Sequence, residues 1–397
     1  MSISPRLSAN AVRAFLSPEH EAWIEHLARV VADKIVPRPH PDSDAAARLE
    51  ARSLLAILGE EGLLAPIGTQ DIRGCCLARE AVAWASPLAD AVWALQGLGV
   101  TPLLLKGTDD QKERWVEPAL TGQAMTGFAM TEPGAGSHVA AMSTRAVREG
   151  GEYLLNGHKW LISNAGIADL YVVFASTDPE AGHRGLSAFL VPADTPGCRF
   201  AGAQIMSAPH PLGELVFEDC RVPAANRLGE EGEGFKIGMG ALDRLRPTVG
   251  AAAVGMGARA LDEAVAHALE REQFGKPIAE FQTIQTKLGS GATELDAGRL
   301  LVLRAAFDKD EGAERITREA AMAKAFATEA AQRIIDDAVQ IVGGLGVLSD
   351  HPVELLYRSV RALRIYEGTT EIQQMIVAGG MLKDARAARV DGAGEGQ

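Results

Sequence analysis

The 397-residue chain predicts an α+β fold in three consecutive blocks: an amino-terminal helical domain, a middle β domain and a carboxy-terminal helical domain. Three observations predict it. From about residue 19 to 125 apolar side chains recur at three and four, as in Trp23, Leu27, Val30, Val31 and Ile35. Between about 126 and 232 that period gives way to short apolar runs, Leu170 to Phe174 and Leu186 to Val191, separated by Gly, Pro and Asp. From about 233 the helical period returns, most clearly where Met322, Phe326, Ala330, Ile334, Ala338, Ile341 and Val342 share one face.

In chain order, residues 1 to 18 carry Arg6, Arg13, several serines and no acid, a weak likeness to a mitochondrial transit segment. An ordinary amino-terminal arm is the preferred reading. The first helical block fills 1–125. In the β block, 126–232, Asn156-Gly157 stands between Tyr153-Leu-Leu155 and Trp160-Leu-Ile162 and predicts a hairpin turn, since both residues tolerate positive φ. In the third block, 233–385, a helix stops at Gly343-Gly344. The tail, from about Asp384 and assigned as 386–397, lacks apolar content and is expected to be loose. There is no internal repeat.

With 47% hydrophobic residues the chain can bury a large core. The net charge of -13, from 52 acids against 39 bases with no long basic run, disfavours a nucleic-acid partner. Cys75, Cys76, Cys198 and Cys220 show no CxxC spacing and are too few for a disulfide scaffold, which fits a reducing compartment. No run approaches the ~20 uninterrupted apolar residues of a membrane span, so a soluble protein without a membrane partner is expected, cytoplasmic, or in the mitochondrial matrix of a eukaryote.

Several segments carry candidate chemistry. Met130-Thr-Glu-Pro-Gly-Ala-Gly-Ser137, at the entry to the β block, can bring backbone amides and hydroxyls against a cofactor or phosphate, or form an ordinary turn. Gly255-Met-Gly-Ala-Arg259 opens a GxGxxA, but inside a helical pattern with no preceding strand, so no nicotinamide-binding fold follows. HExxH, GxSxG and P-loop motifs are absent, no metal is expected, and His138, His158 and His210 read as surface or loop residues. Arg271-Glu-Gln-Phe-Gly-Lys-Pro-Ile278, followed by Gln282, reads as a helix stop that leaves a guanidinium for which a diphosphate would be a partner. In Arg364-Ile-Tyr-Glu-Gly-Thr-Thr-Glu-Ile-Gln373, Thr370 and Gln373 fit a capping box. There Glu367 is either a solvated acid near a helix start or, held against Leu363, Ile365 and Tyr366, a base of raised pKa.

In their joint order and spacing these segments resemble the acyl-CoA dehydrogenase family across nearly the whole chain, with Gly107-Thr-Asp-Asp-Gln-Lys112, Leu242-Asp-Arg-Leu-Arg-Pro247 and Gln340-Ile-Val-Gly-Gly-Leu-Gly346 completing the set. The resemblance implies a carboxy-terminal four-helix bundle, FAD, and a homotetramer or dimer. It implies that Phe128, Met130, Thr131, Gly136 and Ser137 line the flavin, with Ser137 also facing substrate, and that Ile162 and Ser163 approach the isoalloxazine ring. Arg271, Phe274, Gln282, Gln340, Gly343 and Gly344 would hold the diphosphate and adenosine across a subunit interface, and Thr369 and Glu371 would also belong to the FAD site. Glu367 falls on the base that removes the α-proton of an acyl-CoA thioester, with Gly368 making room for the thioester and Asp243 and Arg246 near CoA or simply a helix ion pair. Leu245 occupies the alternative base position and cannot accept a proton.

The departures from the family pattern are His138 for an expected Asp, Trp160 one residue early so that Leu161 takes the flavin-side tryptophan position, no basic residues in 201–210, Gly379-Gly380 where an arginine often meets CoA, and a short segment between Leu64 and Arg79. The expected activity is α,β-dehydrogenation of an acyl-CoA to a trans-2-enoyl-CoA, with electrons passed to an electron-transfer flavoprotein. The alternatives are an acyl-CoA oxidase or flavin monooxygenase on the same fold, and a non-catalytic binding protein.

Overall fold

The computed structural model describes residues 9–394, with side chains from Val12 to Arg389. The first eight residues of the amino-terminal arm and the last three of the chain therefore lie outside the described residues.

Six helices form the first block: α1 (Pro18–Val30), α2 (Asp44–Glu60), α3 (Ala65–Thr69), α4 (Ile72–Ala85), α5 (Pro87–Lys106) and α6 (Asp109–Leu120). Their starts follow from local chemistry. Ser43, Asp71 and Ser86 accept a backbone N–H at the starts of α2, α4 and α5, and Thr108 with Gln111 forms a capping box on α6. Among the described residues α5 is the one helix long and apolar enough to cross a bilayer, but 83% of that window is buried inside the protein. It is a core helix, apolar all round because protein surrounds it.

The strands are β1 (Thr126–Ala129), β2 (Arg145–Glu149), β3 (Glu152–Ser163), β4 (Leu170–Ser176), β5 (Leu186–Pro192), β6 (Cys198–Ala203), β7 (Leu212–Pro223) and β8 (Arg227–Leu228). They make one sheet in the order β6-β7-β3-β2-β4-β5-β8, with β1 parallel to β4. The two apolar runs are β4 and β5, and every β4 residue is buried.

The expected turn at Asn156-Gly157 is a correction. The chain turns instead at Gly150-Gly151, between the paired Glu149 and Glu152, and β3 runs through Asn156-Gly157 as a bulge against β7. A Cβ on Gly157 would lie 2.7 Å from Thr144 Cα, so the glycine serves a close backbone approach. The Asn156 side chain is taken up by Asp219, whose backbone N–H donates to it at 2.8 Å.

In the third block α7 (Gly234–Glu270) precedes a short hairpin of β9 (Glu272–Gln273) and β10 (Lys276–Pro277), then come α8 (Gln282–Asp310), α9 (Thr317–Val342), α10 (Pro352–Leu363) and α11 (Thr370–Gly394). Helix α9 packs on α7, α8, α10 and α11, and its end at Gly343 has φ +68°. The GxGxxA segment lies inside α7, where a Cβ on Gly255 would collide with the Glu80 carbonyl of α4. Its first glycine serves helix packing.

The loose tail is a second correction. The backbone stays helical through Gly394, and Asp384 pairs with Arg318 at 2.6 Å. Poor apolar content leaves its described side chains, through Arg389, exposed without unwinding the helix, since propensity and an ion pair suffice for an extension of an existing helix.

Candidate active site

A cavity of about 380 Å³ opens where α5, the ends of β1 and β3, α10 and the loop after α10 meet. Ala94, Leu95 and Leu98 of α5 supply one apolar wall, Phe128 and Ser163 come from the strands, and Ile365, Tyr366 and Glu367 come from the loop. Leu245 packs with Leu95 and Leu98 just behind that wall.

Glu367 is half-buried, and its Oε2 is buried with no hydrogen-bond partner. Burial pushes this carboxyl above the usual carboxylate range, the charges of Arg79, Arg246 and Lys324 pull it back, and Asp90 pushes it up again. Glu367 has φ +54° and Gly368 φ +93°. A left-handed non-glycine residue costs about 1–3 kcal/mol, so the surroundings must impose it. The Glu367 carbonyl accepts from Arg246 Nε at 3.2 Å and Gln373 Nε2 at 3.1 Å, and the Gly368 carbonyl from Lys324 Nζ at 2.7 Å and Gln373 Nε2 at 3.0 Å.

These contacts correct two expectations. The cap of α11 is Thr369, whose hydroxyl accepts from Ile372 N at 3.4 Å, because Thr370 is turned away to donate to Glu329 at 2.7 Å and the Gln373 amide is spent on the carbonyls. Arg246 forms no ion pair with Asp243 among the described residues: its guanidinium reaches the Glu367 carbonyl, and Asp243 Oδ1 is buried without a partner.

Beneath the loop lies a buried pair that the sequence alone does not reveal. Arg79 grips Asp90 through Nε at 2.8 Å and Nη2 at 2.9 Å and reaches Thr248 at 3.0 Å, with both Arg79 and Asp90 1% exposed. Asp90 lines the cavity. The available signal was Arg79 in the middle of the mainly apolar α4 and Asp90 in the first turn of the mainly apolar α5.

Across the cavity, Ser163 is hydrogen-bonded to His210, Oγ to Nε2 at 2.7 Å, while Ile162 is 1% exposed behind it. His210 is thus not an idle loop residue. Burial lowers its pKa to about 4, so the ring is neutral near pH 7. His158 pairs with Glu214 at 2.7 Å, and His138 is exposed. Leu161, left-handed at φ +56° and 45% exposed, faces the cavity.

In the Met130 to Ser137 segment, Met130 is buried, Thr131 half-buried, and Gly136 and Ser137 exposed. Local sequence shows no partner for its acid, Glu132, which nevertheless anchors the loop. Glu132 accepts from Lys159 Nζ at 2.8 Å, from Ser143 Oγ at 2.7 Å and from Thr144 N at 3.0 Å. Burial raises this carboxyl, and Lys159 with the hydrogen bonds outweighs it, holding the pKa at about 2.

The remaining candidates lie on other elements, and none lines the cavity. Arg271 follows α7, Phe274 in the β9–β10 turn is 94% exposed, Gln282 opens α8, and Gln340, Gly343 and Gly344 sit exposed at the end of α9. Arg271 has no ion pair among the described residues, and a Cβ on Gly343 or Gly344 would meet nothing within 4 Å. Glu371 is exposed on the first turn of α11.

Three family descriptions match in sequence order: acyl-CoA dehydrogenase, N-terminal domain, over residues 17–123, middle domain over 127–220, and C-terminal domain over 232–382. The chain is 40% identical over 342 residues to the mitochondrial short-chain specific acyl-CoA dehydrogenase of Mus musculus, covering 83% of this chain and 82% of that one. It is 43% identical over 289 residues to the caffeyl-CoA reductase-Etf complex subunit CarC of Acetobacterium woodii, covering 71% and 75%. Its fold matches the butyryl-CoA dehydrogenase of Megasphaera elsdenii with TM-score 0.86 at 34% identity, over 92% of this chain and 99% of that one.

Proposed function

The chain belongs to the acyl-CoA dehydrogenase family, an FAD-dependent oxidoreductase by that membership, and from this premise we propose that Glu367 is the base that removes the α-proton of an acyl-CoA thioester to give a trans-2-enoyl-CoA. One observation carries the assignment: the unpartnered, buried Oε2 of Glu367 on the wall of an apolar cavity. An acid used only for stability would have its oxygens engaged or solvated.

The residues present fit FAD. Ser163 stands at the cavity, the exposed Gly136 and Ser137 belong to the loop after β1, and Arg271, Gly343 and Gly344 offer a guanidinium with no ion pair among the described residues and open backbone suited to a diphosphate. Bound FAD supplies the acceptor for the β-hydride. In this reading Ser163 donates a hydrogen bond to the ring, Phe128, Met130, Thr131 and Ile162 shape its surroundings, and Phe274, Gln282, Gln340, Thr369 and Glu371 belong to the rest of the cofactor site.

The α-proton of a thioester is a poor acid, so the carbonyl must be polarised and the base kept dry. The Glu367 backbone N–H polarises the carbonyl, Gly368 leaves room for the sulfur, and Ala94, Leu95 and Leu98 exclude water. Asp243 and Arg246 lie toward the CoA side. Leu245 has no group that accepts a proton, so this reading takes no second base from that position of α7. The electron acceptor is an electron-transfer flavoprotein, a reading supported by the name of the Acetobacterium relative.

The test is anaerobic mixing of the flavoprotein with butyryl-CoA, isobutyryl-CoA and hydrocinnamoyl-CoA while the flavin band is followed. Wild type bleaches with at least one of them, and Glu367→Gln bleaches at least ~1,000-fold more slowly, since the amide cannot take the proton. An undiminished rate in the variant removes Glu367 from the role. Rapid peroxide formation on admitting air would instead favour an oxidase.

A further inference from the structure

Lys324 is fully buried on α9, between Ala323 and Ala327, on a face whose other buried polar residue is Thr328, which donates to the Lys324 carbonyl. A buried ammonium is unfavourable unless it has a specific partner, and Lys324 forms no ion pair among the described residues. Its side-chain hydrogen bond goes to the Gly368 carbonyl at 2.7 Å, one residue beyond Glu367. Gln373, also fully buried, donates to the same carbonyl and to that of Glu367.

We propose that Lys324 is a positioning residue for the base, its ammonium drawing the Gly368 carbonyl toward α9 so that the left-handed Glu367-Gly368 pair holds the carboxylate over the cavity. The inference rests on Glu367 being the base. Because peptide C=O and N–H point in opposite directions, a carbonyl fixed toward α9 sends the N–H of the same peptide away from it. Releasing that peptide would let the preceding residues relax, returning Glu367 toward an ordinary helical φ and swinging its side chain off the cavity wall. A charged donor suits this task, because its attraction for a carbonyl dipole inside the protein exceeds that of a neutral amide.

The charges facing Lys324 are Glu367 from the loop, Glu329 on α9, Arg246 on α7 and Glu371 on α11. Burial lowers the lysine pKa to about 8, with Arg246 acting in the same sense and the three glutamates opposing. Above that pH the ammonium loses its charge and its grip on Gly368 weakens, which adds a descending limb to the rate on the basic side.

Three variants test this in the FAD-loaded protein, using whichever of the three thioesters bleaches wild type fastest. Lys324→Met is expected to slow bleaching at saturating thioester by at least about tenfold, with flavin content and thioester Kd within about twofold of wild type. Lys324→Arg, which keeps a permanent charge, is expected to recover part of the rate and to lose the descending limb near pH 8. Gln373→Leu is expected to share the Lys324→Met signature and decides the matter if that variant does not fold. Variants that bleach at the wild-type rate, or a wild-type rate flat between about pH 7 and 9.5, overturn the positioning role while leaving Glu367 as base intact. A wild type that none of the three thioesters bleaches removes the dehydrogenase reading and this inference with it.

Discussion

Glu367 sits in an electrostatic balance that sets the pH at which it can act as the proposed base. Its carboxyl lies above the ordinary carboxylate range because burial outweighs the attraction of Arg79, Arg246 and Lys324. A base must be ionised, so the bleaching rate falls as pH drops through this raised pKa, at a higher pH than an exposed glutamate would give. Asp90 adds to the elevation, so Asp90→Asn moves the acid limb to lower pH, which a pH–rate profile reads directly. The same change takes a charge from the buried partner of Arg79 and lowers stability by about 3–5 kcal/mol. Glu367, which its immediate neighbours left undecided, and Ser163 were put forward through the family resemblance, and both line the cavity. Arg79, Asp90, His210 and Lys324 were not legible in the sequence, since each acquires its role from a partner brought in by folding: Lys324 from Gly368, His210 from Ser163.

At the scale of elements, the helix period and the apolar runs located α9, β4 and β5, because burial on one or both faces dictates their composition. Turn chemistry was less informative. Asn156-Gly157 has the residues of a tight turn, yet Gly157 is required by the Thr144 backbone across the sheet, a contact no local pattern contains. The loop after β1 depends on the Glu132–Lys159 pair for its shape. Glu132→Gln leaves the Lys159 charge buried without its counterion and is expected to cost about 3–5 kcal/mol, measured by denaturant unfolding of the flavin-loaded protein. The folded pKa of Glu132, about 2, lies below its value of 4.5 in the absence of partners. The stabilisation it brings is therefore complete above the unfolded pKa and is lost as pH falls from there toward 2.

For the whole molecule, the three-block order was legible, while the sheet order was not: β1 and β4 pair in parallel although β2 and β3 intervene in the chain. Phe274, at 94% exposure, neighbours Arg271 in the chain, and Val347, at 67%, follows Gly343 and Gly344. From such apolar exposure beside an arginine with no ion pair among the described residues we propose a homotetramer or dimer in which each copy completes its neighbour's FAD site. Phe274→Asp is then expected to reduce the mass seen by light scattering and to weaken FAD retention by about tenfold or more in the same preparation. A variant of undiminished mass and flavin content would count against a shared site.

The cavity draws Leu95 from the first block, Ser163 from the second and Glu367 from the third. During synthesis Glu367 and α11 leave the ribosome after both of the other blocks, when the sheet can already have closed. No amino-terminal fragment that stops short of Glu367, however well folded, has a complete cavity. A product terminated before Glu367 by nonsense mutation or proteolysis is accordingly expected to be colourless, and yellow colour in a preparation reports chains that extend through the third block.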